Sequence, residues 1–260
     1  MNIFKAHIIN PLFVAAALGL LLAAWYLPVG AGWWLALAGA WLAVTTAGAF
    51  RITANYHLEA LHRQKEPGQR QVALTFDDGP HPERTPIILE LLRRYNAKAT
   101  FFCIGNRIAK HPAIVRQILA EGHTIGNHTL THANHFGFMS ADRVASEIAE
   151  TDRIMQQITG KKMLFFRPPF GITNPFIKKA LQRTGHVTIG WSNRSFDTVL
   201  RPEGAVVQRI VRRLKPGDIV LLHDTIAQTA AVTEAVLVHL QKNNYEAVSA
   251  DTLLKKEAYA

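Results

Sequence analysis

Val72-Ala-Leu-Thr-Phe-Asp-Asp-Gly-Pro80 sets a short apolar run directly against two adjacent carboxylates. Residues 72–76 have the length and composition of a buried strand. Asp77 and Asp78 then fall at its carboxyl end, ahead of the turn-prone Gly79-Pro80. Two neighbouring carboxylates repel each other unless something positive lies between or beside them. A metal ion meets that need, with one carboxylate as ligand and the other free for proton transfer. An ordinary solvated Asp-Gly turn is the plainer alternative.

Downstream, short apolar runs alternate with longer helical patterns. Residues 86–95 read as a helix with Thr85 at its N-cap and Pro86 at the first helical position. Residues 99–104 are strand-like, and 113–121 helix-like with Gly122 as the stop. Ser140 caps a helix running to about Thr159, with Gly160 after it. Strand 164–166, helix 175–184, strand 186–190, helix 204–214 and strand 219–222 follow, and a last pair of helices flanks a short strand. This alternation predicts an α/β fold with a parallel sheet covered by helices. An open sheet and a closed barrel look alike at this level. Polar residues nevertheless end the strands: Asp77 and Asp78, Arg167, and His223 with Asp224. Active-site groups of a (β/α) barrel project from those ends, so a barrel-like enzyme is expected.

What precedes the first strand is of another kind. No Lys, Arg, Asp or Glu occurs from Ala6 to Phe50. One membrane span takes about 20 apolar residues, so the run fits two helices, 8–27 and 33–50. Pro28-Val-Gly-Ala-Gly32 breaks it, and Trp25, Tyr26, Trp33 and Trp34 flank the break as an interfacial belt would. A cleaved signal peptide before a core helix is the competing reading, and it leaves the second apolar block unexplained. Residues 1–50 are thus expected to be a two-helix membrane anchor, 51–70 a basic connector ending in Glu66-Pro67-Gly68, and 71–260 the catalytic domain. Lys5 precedes the first helix, and Arg51, Arg63 and Lys65 follow the second, a bias that favours a multi-pass protein with its domain on the cytoplasmic face. The formal net charge of +10 implies attraction to an anionic membrane or substrate. Nucleic acid is not an expected partner, because the basic residues are scattered without interleaved aromatics. Cys103 is the only cysteine, which excludes an internal disulfide, and its apolar surroundings read as core.

Three further motifs carry chemistry. His128-Thr-Leu-Thr-His132 places two imidazoles at i and i+4, on one face of a helical turn. With Asp78 as a third ligand they would leave open metal positions for water and substrate, as hydrolytic sites do. Arg167-Pro-Pro-Phe-Gly171 fixes an arginine at a strand end, where it could pair with Asp77 or form a merely structural ion pair. His223, after a buried strand, suits a general acid, with Asp197 to orient it and keep it protonated. A satisfied core histidine is the other reading of His223.

Taken in order, Thr-Phe-Asp-Asp-Gly-Pro, His-Thr-x-x-His, Arg-Pro-Pro-x-Gly, an Asp after a Trp-bearing strand, and Leu-Leu-His-Asp resemble the motifs of the polysaccharide deacetylases. This is carbohydrate esterase family 4, or the NodB-homology domain. The resemblance implies a distorted (β/α) barrel, one divalent metal (zinc, with cobalt or nickel possible) and hydrolysis of an acetamide on a sugar. By position, Asp77 resembles the general base, and Asp78, His128 and His132 the metal ligands. Arg167 matches the arginine that holds the base, Asp197 the carboxylate that tunes the catalytic histidine, and His223 the acid. Phe170 stands where the family often has Tyr, whose backbone amide binds the oxyanion, while Trp191 and Leu221 would wall the acetyl pocket. Thr198 departs from the family's Trp and puts substrate preference in question. The expected partner is an N-acetylated glycan such as chitin or peptidoglycan, or alternatively a lipid-linked amino sugar at the membrane surface. An inactive, membrane-tethered glycan-binding module is the expectation of another class, and no site residue is missing to favour it.

Overall fold

The computed structural model describes residues 4–67, 69–199 and 202–260, so Gly68 of the expected connector turn lies outside the described residues. Two helices, α1 (Ala6–Tyr26) and α2 (Ala31–Phe50), form an antiparallel hairpin. Both are long and apolar enough to cross a membrane, with window hydropathies of 2.1 and 1.4 and almost no burial. At 1.5 Å per residue each spans about 30 Å, the thickness of a bilayer's hydrocarbon core.

The rest is built on one parallel sheet in the order β1-β6-β5-β4-β3-β2-β8-β7, with β9 joined to β2. Its central strands are β2 (Gln71–Asp77), β3 (Ala99–Cys103), β4 (Thr124–Asn127) and β8 (Ile219–His223). Shorter strands β5 (Phe165–Phe166), β6 (Val187–Ile189) and β7 (Asn193–Arg194) extend it, and β9 is Glu246–Ala247. Among the described residues β7 and β1 do not pair, so the curved sheet is an incomplete barrel, the distorted form expected.

Period-two alternation divides the core. Val72, Leu74 and Phe76 of β2 and Val220 and Leu222 of β8 pack outward under the helices, with Phe101 and Cys103 of β3. Ala73, Phe102, Ile219 and Leu221 face the other way, into the barrel, with Phe166, Ile189 and Trp191. Helices α3 (Arg84–Arg94), α4 (Gly105–Lys110), α5 (Pro112–Ala120), α6 (Ala141–Thr159), α7 (Pro175–Thr184), α8 (Glu203–Arg213), α9 (Thr229–Lys242) and α10 (Ala250–Leu254) surround the sheet. The Ser140 hydroxyl accepts from the Arg143 amide to cap α6, and Gly160 ends it in the left-handed conformation.

Three local expectations change. α3 begins at Arg84, so Thr85 lies inside it and turns its hydroxyl to Asp224 instead of capping. α4 is an extra helix of six residues, too short to show a period. The expected connector contributes β1 (Ala60–Leu61), which pairs in parallel with β6. Ile52, Tyr56, Leu58 and Ala60 are buried, and Arg63 bonds Asp218 at 2.5 Å, so this segment belongs to the packed body.

Gly217 closes that joint. Its carbonyl accepts from the Gln64 amide at 2.9 Å and its amide donates to Gln71 at 2.7 Å, with φ at +82°. A Cβ there would overlap the Gln64 carbonyl as well as straining the backbone. In urea unfolding, Gly217→Ala is expected to lose about 1–3 kcal/mol. Gly204→Ala, in α8 with open space around it, should be neutral or stabilising by a few tenths of a kcal/mol.

Candidate active site

The alternation that sorts the core also delivers the site. Ala73, Thr75 and Asp77 share one face of β2, and Ile219, Leu221 and His223 share the same face of β8. Asp77 and His223 are register partners, so a carboxylate and an imidazole stand side by side at the strands' carboxyl ends. Asp78 follows with φ at +76°, a strained conformation that aims its carboxylate away from its neighbour's row. The Asp78 carbonyl accepts from Arg107 Nη1 at 2.7 Å, which fixes the turn.

Arg167 leaves β5 fully buried. Its Nη1 donates to Asp77 Oδ1 at 2.7 Å and to Thr75 Oγ1 at 2.8 Å. Nε donates to the Ile189 carbonyl at 3.0 Å and Nη2 to the Gly190 carbonyl at 2.8 Å. The guanidinium lies 4.0 Å from the Phe102 ring centroid. One Asp77 oxygen is thereby committed. The other, Oδ2, lies 3.9 Å from His128 Nε2.

His128 and His132 do not lie on a helix. They occupy an irregular loop after β4, in which Thr129 (φ +67°) and His132 (φ +52°) are left-handed. The loop still brings the rings together, with centroids 4.9 Å apart. Asn127 holds it by accepting the Thr129 amide, and Glu147 by accepting the Thr131 amide and hydroxyl, each at 2.9 Å. His128 Nδ1 lies 2.7 Å from the Arg167 carbonyl. A carbonyl can only accept, so Nδ1 carries the hydrogen, and Nε2 is the ring nitrogen left to bind a metal when the imidazole is neutral.

Asp78 Oδ1 lies 3.6 Å from His128 Nε2 and 3.4 Å from His132 Nε2. That oxygen is buried and has no hydrogen-bond partner. Ligand atoms of a tetrahedral zinc site with bonds of about 2.0–2.1 Å sit roughly 3.3–3.4 Å apart. A buried orphaned carboxylate oxygen beside two imidazole Nε2 atoms therefore fits a divalent cation, and the ligand atoms of the three residues all lie within 4.8 Å of one another. Burial acts to raise the Asp78 pKa, but attraction to His128, His132 and His223 outweighs it and holds the group well below the usual carboxylate range. Burial, then the charge of His128, lowers the His132 pKa and favours the neutral ring that a metal requires.

Asp197 serves His223 twice: Oδ1 lies 2.8 Å from the ring Nδ1, and Oδ2 accepts the His223 amide at 2.8 Å. Ser195 Oγ donates to Asp197 Oδ1 at 2.9 Å, and Gln228 binds the Asp197 carbonyl. Burial would lower the His223 pKa, yet the bond to Asp197 and the charges of Asp197, Asp77 and Asp78 lift it to about 9. The imidazolium is thus the resting form of metal-free protein at neutral pH.

These groups line a cavity of about 280 Å³ with Phe170, Trp191, Leu221, Arg194 and Thr198. All ten residues singled out from the sequence converge here, Arg167 and Asp197 from behind. Phe170 (φ +59°) meets His132 edge-on at 4.8 Å. Thr198 also lines the cavity. Of three further contributors, Arg194 gives no sign in the sequence, whereas Thr75 and Asp224 stand in quoted motifs without a role. Arg194 was silent because β7 has only two residues. Thr75 stood in a quoted motif, but its bridging from Arg167 to the Val220 carbonyl is tertiary. Asp224 is wholly buried, bonds Thr85 Oγ1 at 2.5 Å, and is pushed up to about 7 by burial and by the charges of Asp78 and Asp77.

The polysaccharide deacetylase family matches the chain over residues 64–189, which begin past the apolar hairpin. A peptidoglycan-N-acetylglucosamine deacetylase of Bacillus cereus is 38% identical, over 72% of this chain and 89% of that protein. The chain belongs to the polysaccharide deacetylase family. Another family member, the peptidoglycan-N-acetylglucosamine deacetylase PgdA of Listeria monocytogenes, is 35% identical over 73% of this chain and 40% of its own length. The solved structure of the peptidoglycan deacetylase PdaC from Bacillus subtilis shares the fold with a TM-score of 0.69, at 29% identity, over 73% of this chain and 92% of that one.

Asp197→Asn removes the charge that keeps His223 protonated. In metal-free protein, histidine NMR titration should show the His223 pKa falling from about 9 toward the ordinary 6.5. No movement would mean that Asp197 does not tune this ring.

Proposed function

We propose that the chain is an active, metal-dependent hydrolase that removes N-acetyl groups from amino sugars of a chitin- or peptidoglycan-like glycan while anchored to a membrane. One observation carries the reading: the orphaned Asp78 oxygen faces His128 and His132 beside a base held by Arg167 and an acid held by Asp197. Asp78, His128 and His132 would hold the ion, with zinc favoured by the mixed nitrogen and oxygen donors and cobalt or nickel accepted by the same set. When bound, a divalent ion supplies a Lewis acid that acidifies water and polarises the acetamide carbonyl.

The chain's own groups divide the proton transfers. Asp77, its Oδ1 engaged by Arg167, offers Oδ2 to the attacking water and takes its proton. The Phe170 backbone amide donates to the tetrahedral oxyanion, and Trp191 and Leu221 wall the methyl group. As the carbon–nitrogen bond breaks, His223 passes a proton from Nε2 to the departing amine, yielding acetate and a free amino sugar. Asp197 orients the ring for that transfer. An inactive binding module would not need both a pinned base and a protonated acid.

Acetate release from N-acetylglucosamine oligomers by the full chain tests this. Release should stop with chelator and return with zinc. Asp77→Asn should lose at least a hundredfold in kcat while still binding zinc, and His223→Ala about 10²–10⁴-fold. Asp78→Ala should bind no zinc. Full activity in the Asp77 variant would remove it from the base role.

Lys5 and Arg51 flank the domain-side ends of the hairpin, whereas its tip carries no charge. Positive residues stay cytoplasmic, so we propose that the domain faces the cytoplasm. Green fluorescent protein fused to Ala260 should then fluoresce in cells, and a dark fusion that is full-length would reverse the orientation.

A further inference from the structure

The hairpin is fastened to the wall of the catalytic cavity. The Ala49 carbonyl, in the last turn of α2, accepts from the Thr173 amide at 2.9 Å, and Thr173 Oγ1 lies 3.4 Å from the same oxygen. Thr173 is three residues beyond Phe170, which lines the cavity and packs against His132. Three residues span about 11 Å at most. A second attachment runs past Trp191: Ile52, just beyond α2, is buried against Gly190, whose carbonyl binds Arg167. A third is Tyr56, packed on Gly48 of α2, its carbonyl accepting the Ala6 amide of α1 at 2.9 Å. Such a joint permits no swinging tether.

The surface around this joint is apolar and basic. Phe138 is 92% exposed and Phe176 56%. Both residues lie next to the 172–174 loop in the chain or through one bond: the Gly137 carbonyl accepts from Asn174 Nδ2 at 2.8 Å, and Phe176 is the second residue of α7. Lys5 and Arg51 end the two helices, and Lys178 of α7 is close enough to depress the pKa of His57, after burial. Exposed aromatics with lysine and arginine at the ends of two apolar spans are the composition of a membrane interface.

We propose that the hairpin is a rigid platform that holds the cavity mouth at the bilayer surface, with Phe138 and Phe176 in the interfacial layer, and that the acceptor is a membrane-borne, lipid-linked N-acetylated amino sugar. This rests on the deacetylase reading and replaces its polymeric glycan with a membrane-borne acceptor. A cavity fixed about one loop's length from the hydrocarbon edge meets a short saccharide on a lipid more readily than a distant polymer. A cytoplasmic domain would have lipid-linked precursors within reach and no assembled wall.

The full chain in phospholipid nanodiscs permits a depth measurement independent of activity. Cys103 is buried, so Phe138→Cys and Phe176→Cys each accept a single nitroxide label, with Gln241→Cys, at the far end of α9, as the water-exposed control. Relative to the control, both labels should relax faster with oxygen and slower with a water-soluble nickel chelate. Acetate release from a glycolipid bearing terminal N-acetylglucosamine should exceed that from a soluble N-acetylglucosamine tetramer by at least tenfold in kcat/KM. Labels at 138 and 176 as water-exposed as that at 241 would overturn the platform, whatever the activity. Labels at depth with equal use of both substrates would overturn the lipid-linked acceptor and spare the deacetylase. Labels at depth with acetate from neither substrate would sink the deacetylase reading and take the acceptor with it.

Discussion

A fully buried guanidinium holds this site together. Removing the Arg167 charge from water is costly, and four donated hydrogen bonds with an ion pair to Asp77 compensate it. Those bonds reach β2, the end of β6 and the residue after it, so a residue that has left β5 ties its neighbours into one curved surface. The same residue's carbonyl fixes the tautomer of His128. Asp77 and His128 are therefore oriented by one residue, the first by its side chain and the second by its backbone. Lysine could not substitute, because a point charge cannot address Asp77, Thr75 and two carbonyls along fixed directions.

The electrostatics around that cation are frustrated in a useful way. Asp77, Asp78, Asp197 and Asp224 are all at least partly buried near one cavity. Arg167 answers Asp77, and His223 answers Asp197. Asp224 escapes by burial toward its neutral form, with Thr85 as its partner. Asp78, held in its charged form, keeps a buried oxygen with no hydrogen-bond partner. Native interiors leave few such atoms, and those they leave usually answer to something absent from the coordinates. The shortfall is one positive charge at the place where two imidazole Nε2 atoms also converge.

Much of this was legible in the linear chain because it rests on period two and on chain punctuation. The run from Val72 through Asp78 announced a buried strand with chemistry at its end. The expected helix 175–184 is α7, and Ser140 and Gly160 bracketed α6. The unread parts have a common physical origin. β1 and β7 have two residues each and express no period, so the sheet edge at Ala60 and the cavity wall at Arg194 left no signal. His128 and His132 obey a spacing that two structures satisfy, a helical turn or a loop with left-handed kinks. Which one forms is decided by Asn127, Glu147 and the Arg167 carbonyl, contacts 2 to 39 residues away. Thr85 is a good N-cap by composition, yet its hydroxyl is worth more against Asp224, whose burial only the tertiary structure creates.

Polarity inside the hairpin ties its two helices to each other and to the body of the domain. Asn10 lies in the first turns of α1, where a side-chain amide facing lipid would be unfavourable. Its Oδ1 accepts from Trp41 Nε1 of α2 at 3.2 Å and from the Tyr56 hydroxyl at 3.4 Å, while Thr45 Oγ1 lies 3.4 Å from the same hydroxyl. Tyr56 belongs to the body of the domain and is itself buried, with Gly48 as the surface that admits its ring. One tyrosine thus satisfies the polar groups of both helices and occupies the space between them and the sheet edge. Apolar helices in lipid gain no hydrophobic drive to associate, so small residues and polar contacts of this kind decide how they pack. The two apolar helices and the body of the domain are specified by the same contacts, which makes the orientation of the cavity relative to the helices a property of the fold and not of a linker.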